Sequence, residues 1–178
     1  FELADRLSNR NHEVRIVTID EEKKVDFYPL KTQFSILSQS LGLIEDTDVI
    51  IGYYPVSAFY INDLDIKSKK FYLVTNDQRQ HYTKELFKFK FPQVDQEHRD
   101  ENYEAQKNYL ESSLQLSLHY LTTNKSLQSI LIQYKNKTDI IPVAVNKELY
   151  FPEFTIPKTR MRILVEGNMF PWKGVDSV

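Results

Sequence analysis

Two short stretches carry residue types that could do chemistry. Near the C-terminus, the apolar Ile163, Leu164 and Val165 lead through Glu166 into Gly167-Asn168, a polar loop, then Lys173-Gly174. A strand, a glycine-containing loop and Lys-Gly ahead of a helix set an ammonium beside free helix amides, a geometry suited to phosphate oxygens. No GxGxxG or Walker pattern accompanies it, so a solvated loop lysine beside a turn glycine is the competing reading. Midway along the chain, Asn76-Asp77-Gln78-Arg79-Gln80-His81 follows the apolar run that begins at Phe71. An acid, a guanidinium and an imidazole there could bind a polyhydroxyl ligand or position a proton. The competing reading is a solvated loop capped by Asp77, with Arg79 and His81 turned to water.

The remaining chemical candidates are fewer. Among four histidines, His12 sits in a turn and His98 in a polar stretch, while His119, between Leu118 and Tyr120, reads as a satisfied core residue. No HExxH spacing occurs, and the chain has no cysteine, which excludes disulfides and thiolate metal sites and argues against a bound catalytic metal. Lys84-Glu-Leu-Phe-Lys-Phe-Lys-Phe91 interleaves lysines with phenylalanines. If extended, it aligns Phe87, Phe89 and Phe91 on one side, as a membrane-surface contact would require or as a core-facing edge would produce.

These residues need elements to position them. Val14 to Ile19, Asp48 to Tyr54 and Phe71 to Asn76 are apolar, β-branched or aromatic runs that read as strands. Leu118 to Thr123 and Asp139 to Val145 read the same way. Phe1, Leu3, Ala4 and Leu7 make a helical stripe, stopped by the polar Ser8 to His12. Leu127, Ile130, Leu131 and Tyr134 make another, with Asn124 and Ser126 as available caps. Leu110, Leu114 and Leu118 give a further stripe behind the polar stretch Asp95 to Asn108. Continuous apolar strands alternating with helices predict an α/β fold: a Rossmann-like parallel sheet with helices on both faces. Such sheets bind ligands at the C-terminal strand ends. That rule selects Tyr53, Tyr54, Asn76, Asp77 and Arg79 as ligand-facing positions, with Asp77 the candidate for a proton-transfer role.

Composition sets outer bounds. The 178 residues are 41% hydrophobic and 27% charged, as in a folded globular chain, and suffice for one α/β domain with part of another. A net charge of −2 offers no electrostatic reason to expect nucleic acid. No apolar run approaches the roughly 18–20 residues of a membrane span. The N-terminal FELADRLSNRNHEV has no signal-peptide core. Four glycines are few for a complete nucleotide-binding fold. Residues 152–160, with a proline near each end of Phe151 to Pro157, read as a linker between a domain over 1–151 and the opening of another over 161–178.

Three stretches in order resemble the retaining glycosyltransferases of the GT-B fold, in the large family numbered four. Leu3 to Thr18 (LADRLSNRNHEVRIVT) resembles that family's first helix and second strand, with Asn11 where a "GHEV" turn has glycine. Asp139 to Glu153 (DIIPVAVNKELYFPE) resembles the "IPNGVD" segment closing the N-terminal domain. Arg162 to Asp176 (RILVEGNMFPWKGVD) resembles the first strand and loop of the C-terminal domain. The resemblance implies an N-terminal acceptor-side domain and only the start of a donor-side domain. The family's first strand and glycine-rich loop would precede Phe1, and its paired glutamates would follow Val178.

It also implies a function: transfer of a sugar, with retention, from a nucleoside-diphosphate donor to a glycan, lipid-linked or other hydroxyl acceptor. Such enzymes serve polysaccharide synthesis in the cytoplasm or at the inner membrane face and need no cofactor. Lys173 matches the family lysine that grips the diphosphate, with Gly167 and Gly174 shaping its loop, while Asn168 stands where the family has an arginine. Tyr53, Tyr54, Asn76, Asp77 and Arg79 fall on the acceptor side. Asn76 and Asp77 occupy a region where the family often has a histidine. On this reading the chain alone is catalytically inactive. Two alternatives stay open: a binding module without chemistry, and a non-catalytic partner subunit of a transferase.

Overall fold

In the computed structural model, residues 2–18, 32–36, 44, 47–81, 83–85, 88 and 92–142 are described. The chain divides into two compact units. One comprises Phe1–Ile50 with Asp65–Lys69, the other Ile51–Leu64 with Lys70–Val178. In the first unit, helix α1 (Glu2–Ser8) precedes strand β1 (Arg15–Thr18), which pairs in parallel with β2 (Gln33–Ile36), Arg15 opposite Gln33. The turn between α1 and β1 passes through Asn11 at φ 65°, a left-handed backbone that asparagine tolerates better than most residues. Asp5, only 7% exposed, accepts hydrogen bonds from the Thr32 backbone N–H at 2.8 Å and the Thr32 hydroxyl at 2.5 Å. That pair ties α1 to the entry of β2.

The other sheet has four parallel strands in the order β3-β4-β5-β6. These are Val49–Tyr53, Lys69–Val74, His119–Thr122 and Thr138–Ile140. Register sets Phe71 beside His119, Tyr72 beside Tyr120 and Tyr120 beside Thr138. The crossovers contain α2 (Pro55–Asp63), α3 (Gln96–Ser113) and α4 (Lys125–Ile132). Right-handed crossovers between strands laid down in sequential order carry their helices to one face. The buried Tyr72, Val74 and Tyr120 lie on that face, where Pro55, Leu110, Leu114, Leu127 and Leu131 surround them. The parallel sheet with crossover helices is the expected α/β, Rossmann-like fold, but the three helices described for this sheet pack together on one face of it, where helices on both faces were expected.

Local causes are visible in each element. Gly52 lies under α2, where a Cβ would come within 3.0 Å of Ile61 Cδ1 and 3.2 Å of the Ala58 backbone nitrogen. The missing side chain lets helix and strand approach. Asn124 caps α4 by accepting from the Leu127 N–H at 3.0 Å, so of the two expected caps it is Asn124 that acts. The helix ends at Ile132, and Tyr134 follows it.

Some expectations change. The polar stretch Asp95 to Asn108 is the body of α3, started by Asp95, whose carboxylate accepts from the His98 N–H at 3.0 Å and meets His98 Nδ1 at 2.7 Å. Strong helix formers and a cap suffice there; burial comes at the end of the helix, at Leu110 and Ser113. The stripe stops at Leu114, and Leu118 instead leads buried into β5. His119 is half-buried at the start of the interior strand β5: its Nε2 lies 2.7 Å from the exposed Asp139 carboxylate and its ring centroid 4.8 Å from that of Phe71. Lys84, Glu85 and Lys88 are helical, which removes the alternation an extended strand would give; Phe87, Phe89 and Phe91 lie outside the described residues. So do Gly167, Asn168, Lys173 and Gly174, the linker and the segment resembling a donor-side domain.

Candidate functional site at the strand ends

The C-terminal ends of β3, β4 and β5 form a rim rich in rings and hydroxyls. β3 ends at Tyr53, and Pro55 already occupies the first turn of α2, where a missing N–H costs nothing. The single residue between them, Tyr54, turns the chain with φ 77° and ψ 150°. Both tyrosines are well exposed, and their rings meet edge to face, with centroids 4.5 Å apart. The Tyr53 hydroxyl lies 3.4 Å from the Thr75 hydroxyl just past β4. Across the next strand, the Thr123 hydroxyl donates to the Thr75 carbonyl at 3.4 Å, and the Asn124 amide donates to Thr123 Oγ1 at 3.3 Å. Ser57 donates to the carbonyls of Tyr53 and Tyr54, closing the first turn of α2. Asn76 sits exposed on the same strand end.

Asp77 and Arg79 form a different kind of structure. Arg79 grips both Asp77 oxygens, Nε to Oδ1 at 2.8 Å and an η-nitrogen to Oδ2 at 2.9 Å. Its other η-nitrogen donates to Glu111 Oε1 at 3.0 Å and to the Tyr134 hydroxyl at 2.5 Å, and that hydroxyl donates to Glu111 Oε2 at 2.5 Å. The short 3-10 turn Gln78–His81 is thereby bolted to the end of α3 and to the residue beyond α4. Electrostatics follow the contacts. The Asp77 carboxylate raises the Arg79 pKa still further, despite partial burial. The Tyr134 hydroxyl, then Arg79, hold Glu111 below the usual carboxylate range. Burial, then the bond to Glu111, push Tyr134 up. Below this network lies a cavity of about 20 Å³ walled by Tyr72, Val74, Leu110 and Leu131, room for about one water molecule and no sugar ring.

No family model, curated protein or solved structure matches the chain.

Of the positions selected from the sequence, Tyr53, Tyr54 and Asn76 come together at the rim, facing solvent. Asp77 and Arg79 follow the same strand but face each other, and with its side chain 8% exposed Asp77 has both oxygens engaged. In that state its carboxylate holds Arg79 in place through both oxygens. The sequence reading missed Thr75, Thr123 and Ser57 at the rim, and Glu111 and Tyr134 in the network. Threonines at the ends of adjacent parallel strands were a usable signal; Glu111 and Tyr134 reach Arg79 across 32 and 55 residues and gave none. Among the described residues no cluster of His, Asp or Glu could hold a metal ion, and no helix is long and apolar enough to cross a membrane.

Proposed function

We propose that the chain binds a saccharide at the C-terminal rim of its parallel sheet, as the acceptor side of a glycosyltransferase that uses a nucleoside-diphosphate sugar. The observation carrying this reading is the juxtaposition of two exposed tyrosine rings with the hydroxyls of Thr75 and Thr123 and the amide of Asn124. Sugars present apolar C–H faces and a girdle of hydroxyls, which rings and short polar groups complement. Parallel α/β sheets use this end for ligands. Lys173, with Gly167, Asn168 and Gly174, is the proposed diphosphate contact, its cation countering charge on the leaving group. The work belongs in the cytoplasm, with Lys84 to Phe91 as a contact to the inner membrane face. Calorimetric titration with UDP, GDP and ADP tests the donor half: Lys173→Ala should weaken nucleotide binding about tenfold or more, the loss of a charge-assisted contact. Nucleotide affinity unchanged by that substitution would sink the assignment.

The pairing of Asp77 with Arg79 favours a second reading, a saccharide-binding module without chemistry. No product from radiolabelled UDP- or GDP-sugars and oligosaccharide acceptors, with saccharide binding intact, selects it over the transferase.

A further inference from the structure

We infer that Asn124 and Thr123 form a paired donor and acceptor at the end of β5 that reads one hydroxyl of the bound sugar, with the cap of α4 holding the Asn124 amide in place. This rests on the saccharide-binding reading above and adds the residues that would set its specificity.

Three contacts set the direction of the protons here. The Leu127 backbone N–H can only donate, so the Asn124 atom that meets it at 3.0 Å is the carbonyl oxygen Oδ1. The amide nitrogen is thereby turned to the other side, where it lies 3.3 Å from Thr123 Oγ1. An amide NH2 can only donate, so Thr123 Oγ1 accepts there and gives its own proton to the Thr75 carbonyl at 3.4 Å. An amide carries two N–H donors and a hydroxyl two lone pairs. One of each is used between Asn124 and Thr123, which leaves one N–H and one lone pair side by side at the strand end. Asn124 is exposed and Thr123 half-buried, so a ligand can reach both. A sugar hydroxyl is at once donor and acceptor: it can take the amide proton while giving its own to Thr123. A phosphate oxygen, which only accepts, would meet the Thr123 lone pair unfavourably. Asparagine, aspartate and serine cap helices about equally well, so the N–H donors are what asparagine adds beyond the cap. On the same rim the Tyr53 hydroxyl lies 3.4 Å from that of Thr75, which puts an aromatic ring within the reach of the same ligand.

The test uses the full chain, with the side-chain amide signals of Asn124 followed by NMR during titration with methyl glucoside, methyl galactoside and methyl N-acetylglucosaminide, and with UMP as a nucleotide control. Wild type should bind at least one glycoside and shift those amide signals. Asn124→Ser keeps the cap, so its urea midpoint should stay near that of wild type. Its glycoside affinity should fall about threefold to tenfold, as the loss of one hydrogen bond predicts. Monodeoxy analogues of the bound glycoside then locate the contact. One of them should bind wild type about threefold to tenfold more weakly than the parent sugar, yet bind Asn124→Ser no more weakly than the parent does. A merely structural asparagine cannot give that pattern. Should the serine variant lose stability, Asn124→Thr also caps and carries the same comparison. Equal glycoside affinity in the capped variant, or no monodeoxy analogue whose loss depends on Asn124, overturns the inference while leaving the saccharide reading intact. Wild type that binds no glycoside, or only UMP, removes the saccharide reading and the inference together.

Discussion

Replacing Arg79 with methionine tests the network behind the rim most directly. Methionine keeps much of the aliphatic stem and removes the guanidinium. Asp77, its side chain 8% exposed, then loses the partner of both its oxygens, and Glu111 loses one of two donors. Removing one member of a buried ion pair costs about 3–5 kcal/mol. Here Arg79 and Glu111 keep side-chain exposures of 25% and 31%, so water screens part of the loss, and about 2–4 kcal/mol is expected. At roughly 2–4 °C per kcal/mol for a chain of this size, the middle of that range lowers Tm by about 6–12 °C. Urea unfolding should show the midpoint falling with its slope unchanged. Adding Asp77→Asn removes the stranded charge while preserving an acceptor for the Arg79-position N–H, so the double variant should recover about half of the loss. A loss under about 1 kcal/mol, or no recovery in the double variant, would refute the claim that this pair holds the turn.

The same network predicts an acid limb. Glu111 binds its proton less tightly in the folded chain than at its ordinary value of 4.5. It therefore adds stability above that pH, and the contribution fades as pH falls below 4.5 through the folded value. Glu111→Gln should flatten stability against pH in that window.

Three further outcomes follow from packing and ionisation. Gly52→Ala should destabilise by about 1–3 kcal/mol in urea, because its new Cβ meets α2 backbone as well as Ile61; a neutral result would mean the helix shifts freely. Leu131→Ala, at 1% exposure, should cost about 2–5 kcal/mol, whereas Ile132→Ala, at 56%, should stay within about 0.5 kcal/mol, and equal effects would refute the assigned helix face. Burial pushes the Tyr72 hydroxyl from 10.0 up to about 12, so its contribution is full below pH 10 and is lost as pH rises toward 12. Tyr72→Phe should remove that part of the alkaline decline in urea midpoint.

How much of this could be read from the residues depended on where the cause lay. Apolar runs announced β3, β4 and β5; for β4 and β5, inside the sheet, the cause is burial, which needs apolar residues at consecutive positions, whereas β3 is apolar although Val49, Ile51 and Tyr53 are exposed. α4 was legible because its stripe and its cap agree. β2 was not, for QFSI is four residues long and its pairing with β1 is non-local. α3 hid in polar sequence because its stability comes from propensity and a cap, with burial confined to its last turns. At the site, the strand-end rule found Tyr53, Tyr54 and Asn76 yet could not tell that Asp77 and Arg79 close on each other. That depends on Glu111 and Tyr134 arriving from α3 and from beyond α4.

Tyr54 is the case where local rules fail outright. Asn11 and Lys135 also have positive φ, at 65° and 61°, but both lie where a helix has just ended, a place where left-handed residues stop helices routinely. Tyr54 lies where a helix begins, and its ψ of 150° takes it out of the left-handed helical well that asparagine or lysine can use. A sequence chosen for stability alone would put glycine there. Conflicts between a residue and its backbone persist when the side chain has another task, and they gather at functional sites. The conflict is confined to one residue, with an ordinary strand before it and an ordinary Pro-started helix after it. The exception therefore belongs to this one position, where an exposed tyrosine ring meets its neighbour Tyr53 edge to face.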